Sequence, residues 1–149
     1  MRVLRSATVA VAGFTACSEF ASFAFVHPVV RRLPPEHHIA VEQGLLRTYG
    51  RVMPVLMPLT GALVTRYALK SGGGARRLAV PAAIANGVAL ASTVAVNVPI
   101  NAATARWNPT DPPPDWRSRR QRWETFQAVR SPLLLASFVL LCASLATSD

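Results

Sequence analysis

Four long apolar runs alternate with short, Arg-rich joints along the 149-residue chain. They cover about 7–30, 52–69, 78–105 and 126–147. At about 1.5 Å of rise per residue, runs of this length cross a hydrocarbon core about 30 Å thick. The first run holds a single charge, Glu19; the second holds Arg66 near its end, where a long side chain can snorkel to the interface. The third has no charge, and the fourth has Arg130 in its first turns. The pattern predicts an all-α protein, an integral membrane four-helix bundle forming one domain over 1–149. The stretch Phe14-Thr15-Ala16-Cys17 resembles the end of a secretory leader. The apolar run continues well past Cys17, which suits a span better than a leader.

Four spans put both ends of the chain on one side and the joints 31–51 and 106–125 together on the other. The joint 106–125 carries Trp107, a Pro-rich stretch from Asp111 to Trp116, and then a dense run of Arg. Such sequence favours a stiff extended path, so the two joints are expected to cap the mouth of the bundle.

The polar residues inside the spans are not scattered. Asn86, Thr93, Asn97 and Asn101 fall within about 80° of one another on a straight helix. Thr8, Thr15, Glu19 and Ser22 form a matching stripe on the first span. Polar stripes in a bilayer face other helices or a cavity. They serve either as interhelical hydrogen-bond glue or as the lining of a site, and spacing alone leaves both open. Trp123, Gln127 and Arg130 share a face at the start of the fourth span. Met53 and Met57, with Tyr49 a turn earlier, sit beside Pro54 and Pro58 and suit adaptable packing. His27, His37 and His38 are the only histidines, and all lie near the same mouth as Glu36 and Glu42. Histidine with carboxylate is the ingredient list of a metal site, so the expected cofactor is either none or a metal ion such as copper or iron.

Composition narrows the classes. Charged residues are 15% of the chain, against about 25% in soluble domains. The net charge is +9, but the basic residues flank apolar runs, which points to a bilayer surface and away from nucleic acid. Six Lys and Arg fall on the terminal side and ten on the other. The ten include Arg residues near the candidate site, so the positive-inside rule does not settle orientation. Cys17 and Cys142 lie inside apolar runs, and no Cys-x-x-Cys pair is present, which argues against a membrane thiol oxidoreductase. The expected location is the cell membrane, multi-pass, with lipid as a partner and room for a homo-oligomer.

The run Asn97-Val98-Pro99-Ile100-Asn101, a Trp-bearing loop, and then Trp123-x-x-x-Gln127-x-x-Arg130 resemble the anthrone-oxygenase-like family of small four-span membrane proteins. Pro28 and the pair Met53-Pro54 are similar to its first two helices. One departure is Gln127, where the family usually has Asn or His. Glutamine keeps an amide donor and acceptor but cannot serve as an imidazole base. The resemblance implies an oxygenase or oxidase of secondary metabolism that converts a hydrophobic anthrone-like polyketide with O₂ as co-substrate. It implies Glu19 as base, with Asn97, Asn101, Gln127 and Arg130 holding the substrate oxygen. Trp107, Trp123 and Tyr49 would bind the rings, and a metal-assisted version would recruit His27, His37 and His38. The other readings are a non-catalytic scaffold or accessory subunit whose stripes only hold the helices together, and a small-molecule carrier.

Overall fold

The computed structural model describes residues 2–147, and their elements are helical throughout. Among the described residues the one β feature is an isolated bridge between Asn108 and Asp111. Helix α1 (Arg2–Ala21) passes through a π turn (Ser22–Val26) into α2 (His27–Val30). Helix α3 (Pro35–Lys70) forms the second arm of the bundle. Helix α4 (Gly73–Ser92) passes through a second π turn (Thr93–Asn97) into α5 (Val98–Thr104), and α6 (Trp116–Ala146) closes the bundle. The four arms are long and apolar enough to cross a membrane. Of the most apolar window of each arm, only 28% is buried in the first and 33% in the others. Phe14, Phe25, Ile84 and Val139 point outward. So broad an apolar exterior suits hydrocarbon rather than water.

The two π turns decide which side chains reach the interior. In each, the amide directly after the turn reaches back five residues, His27 to the Ser22 carbonyl and Val98 to the Thr93 carbonyl. Pro28 and Pro99 come next, and a proline ring crowds the carbonyl four residues behind it. Proline is not the whole cause, because Pro54, Pro58, Pro81 and Pro132 lie in helices that stay α. The wider turn absorbs one residue, which rotates the next stretch of helix by about 100°. Glu19 and His27 would stand about 80° apart on a straight helix; the turn brings them within about 20°. Both are buried. The same shift aligns Thr93 with Asn101 and turns Asn97 aside. The single Asn/Thr stripe expected from 100° spacing is therefore split.

The mouth also differs from a pair of extended loops. Only 31–34 and 105–115 remain outside helices at that end. Pro35 sits in the first turn of α3, where a missing N–H costs nothing. The α3 turns beyond it bury His38, Ile39 and Glu42. Its 36 residues make it about 54 Å long, so one end stands clear of a 30 Å hydrocarbon layer. The loop after α5 is tied to α3 by Gln43, whose side-chain amide donates to the Thr104 and Trp107 carbonyls at 3.0 and 2.8 Å.

The opposite end is packed solid. Ala12, Val64, Tyr67, Ala79, Ala82 and Leu141 form its core, and small residues there let the helix backbones approach closely. Ser137 donates to the Ala82 carbonyl at 2.8 Å and Ser144 to the Ala75 carbonyl at 2.7 Å, clamping α6 to α4. Thr15 and Thr60 share a hydrogen bond of 2.9 Å between α1 and α3. These contacts are the interhelical glue.

Candidate functional site

Toward the mouth the bundle opens into a cavity of about 440 Å³. Tyr49, Met53 and Met57 of α3 and Leu90 and Val94 of the third arm make its apolar walls. Glu19, His27, Trp123, Gln127 and Arg130 make the facing polar wall. A smaller chamber of about 300 Å³ shares His27, Trp123 and Gln127 with it and reaches Arg31 and Glu124 at the rim. A broader groove of about 640 Å³ along Gly61, Thr65 and Lys70 is a shallow surface feature without an acid–base cluster.

The deeper part of the polar wall is built around one ion pair. Arg130 Nη2 lies 2.8 Å from Glu19 Oε2. Gln127 donates to the same oxygen at 3.2 Å, and Arg130 donates through Nη1 to the Thr93 hydroxyl at 3.1 Å. Arg130 also donates to Gln127 Oε1. Glu19, Gln127 and Arg130 are each at most 5% exposed. Burial of two charges is sustained only by such pairing and by further hydrogen bonds.

A second ion pair stands nearer the mouth. Arg120 Nη2 is 2.6 Å from Glu42 Oε1. His27 Nδ1 approaches that oxygen to 3.3 Å, and His38 Nε2 to 3.7 Å. Trp123 is near both pairs. Arg120 lies over its ring at 4.3 Å, Arg130 at 5.8 Å, and the His27 ring packs on it with centroids 4.7 Å apart. The indole quadrupole attracts a guanidinium placed over the ring. Asn97 donates to the Trp123 carbonyl at 3.1 Å, which fixes α6 against the second π turn.

The structure thus brings together Glu19, Gln127, Arg130, Trp123, Asn101, Tyr49 and His27 around one cavity. It sets three expected residues elsewhere. Asn97 braces Trp123 from behind. Trp107 lies in the loop after α5, outside the cavity lining, with its carbonyl held by Gln43. His37 is exposed while its neighbour His38 turns inward. Spacing had not singled out Arg120. Its signal was the 4-3-4-3 series Trp116, Arg120, Trp123, Gln127, Arg130, a continuous inward face of one helix. Thr93 joins the site as a partner of Arg130.

The metal set does not assemble. Among the described residues, no three His, Cys, Asp or Glu side chains are placed to hold a metal ion. His27 and His38 do converge on Glu42, but the Arg120 guanidinium already takes the shared oxygen, and a second cation there would be repelled. Further polar atoms on the polar side of the bundle are left over: among the described residues, Asn101 Oδ1, Trp123 Nε1 and Arg130 Nε are buried without a hydrogen bond.

These features define a class: a four-arm helical bundle, solid at one end and hollow at the other, with charges buried beside the hollow. A family model described as anthrone oxygenase matches residues 45–140, and the chain belongs to that family. No curated protein and no solved structure matches it.

Proposed function

We propose that the protein is a membrane-embedded oxygenase or oxidase of the cell membrane, acting with O₂ on a hydrophobic aromatic of the anthrone type, in secondary metabolism. The observation that carries this reading is the cavity: apolar on one side, with partnerless polar atoms among the residues of the other. Its volume falls within the range of roughly 300–1,000 Å³ usual for small-molecule sites. Tyr49 and the methionines offer flat and adaptable surface to fused rings. Trp123 Nε1 and Arg130 Nε would donate to the substrate carbonyl oxygen, and Asn101 Oδ1 would accept from a ring hydroxyl.

The chemistry asks for no resident cofactor. The anthrone CH₂ is acidic because its carbanion delocalises onto the carbonyl oxygen, and that electron-rich carbon reacts with O₂. One C–H bond breaks, a C–O bond forms, and the peroxide takes a proton. Loss of the second hydrogen with cleavage of the O–O bond then gives the quinone carbonyl and water. Donors fixed at the developing enolate oxygen lower the barrier of the first step. The cavity keeps that anion away from bulk water.

The test is O₂ uptake by purified protein in detergent with anthrone as substrate. The expected result is one anthraquinone formed per O₂ consumed, well above the protein-free rate, and lost in Arg130→Ala. Uptake equal to the protein-free rate would overturn the reading.

A further inference from the structure

Glu19 and His27 both face the cavity, but they differ in the charge each one balances. Glu19 Oε2 already accepts from Arg130 and Gln127. Protonating that carboxylate would strip the buried Arg130 of its counter-ion, a costly change in a low-dielectric site. His27 is 4% exposed and holds its ring by two contacts, Glu42 against Nδ1 and Trp123 against the face. No hydrogen bond engages its other nitrogen, Nε2, among the described residues.

We propose that His27, oriented by Glu42, is the base that removes the substrate proton. This rests on the oxygenase reading and gives its first step an agent. Glu42 Oε1, 3.3 Å from Nδ1, favours the proton on that nitrogen, and the Nε2 lone pair is then the one available to a substrate. The carboxylate fixes this tautomer and stabilises the imidazolium once formed, as a buried acid does for a catalytic histidine. The charge count favours the assignment. Before the step, Glu42 and Arg120 sum to zero, as do Glu19 and Arg130. After it, the imidazolium and the substrate enolate add one positive and one negative charge, and the site stays neutral. The proton then returns from Nε2 to the distal oxygen of the substrate peroxide. His27 takes the second CH proton as the O–O bond breaks, and that proton leaves with the departing hydroxide as water. Glu42 is a positioning residue; it touches His27 and not the reacting carbon. Glu19 is likewise a positioning residue, holding Arg130.

Base and oxygen steps can be separated by working without O₂. Anthrone is incubated anaerobically in D₂O with the detergent-solubilised protein, and deuterium entry at its CH₂ is tracked by NMR. The wild type is expected to accelerate exchange. His27→Ala should lose on the order of 100-fold or more, the usual contribution of a positioned base, and added imidazole should restore part of it. Glu42→Gln should slow exchange while leaving the KM for anthrone unchanged. Glu19→Gln, which loosens Arg130, should raise the KM for anthrone and keep a measurable rate of exchange at saturation, and the exposed His37→Ala should match wild type. A circular dichroism spectrum like that of wild type shows that each variant is folded; should His27→Ala misfold, His27→Gln replaces it. If the wild type oxidises anthrone and His27→Ala exchanges normally, the His27 assignment is overturned and the oxygenase reading stands. If the wild type neither oxidises nor exchanges anthrone, both are overturned.

Discussion

The two ends of this bundle are built from helices of similar length and apolarity, yet one end is solid and the other hollow. At the solid end, Ala79 and Ala82 face Tyr67 and Leu141, and each buried serine spans a single helix–helix gap to a carbonyl. At the hollow end the charged groups are long, and they pair with one another across helices. Small residues bring helices together; paired charges and wide turns hold them apart. The difference shows that polarity inside this bundle has two uses. Short hydroxyl side chains stitch helices, whereas Glu, Arg and His line a space.

Removing one charge at the hollow end should have the largest effect. Arg130→Ala leaves Glu19 buried without its partner, which costs about 3–5 kcal/mol, measured by thermal unfolding in detergent. The double variant Glu19→Gln with Arg130→Gln should recover most of that loss. A recovery of none would mean that the pair is not the unit that matters. At the solid end, Ala82→Leu pushes a larger side chain into a site with no exposure. Overpacking of that kind costs about 1–3 kcal/mol, while anthrone turnover should persist in whatever protein folds. Equal stability to wild type would show that this end has room to spare. Ser137→Ala removes one buried hydrogen bond to Ala82, so a loss of about 0.5–1.5 kcal/mol is expected from the unfolding curve. Ala102→Phe adds a ring to the cavity lining. Stability should change by less than about 0.5 kcal/mol, but the KM for anthrone should rise. An unchanged KM would place the substrate elsewhere.

Much of this architecture is legible from the chain because it is local. Hydropathy sums along a run, so the four arms are set by residues within each run. The inward face of α6 is set by spacing on one helix, which is why Trp123, Gln127 and Arg130 stand together in the structure. The mouth was less legible. Pro-rich composition suggested extended loops, but a proline in a first helical turn is no obstacle, and α3 and α6 extend into both joints.

What only the tertiary structure decided is the pairing between helices. Glu19 with Arg130, and Glu42 with Arg120 and His27, join residues far apart in sequence. Spacing within one helix carries no information about which partner a neighbouring helix presents. The π turns act in the same way. A single absorbed residue rotates everything after it, so His27 enters the cavity beside Glu42 and Asn97 leaves it. The chain by itself determined that polar groups must be buried among four apolar arms, because hydrocarbon tolerates few of them outside. Which of them meet, and around what space, depended on helix phase and packing.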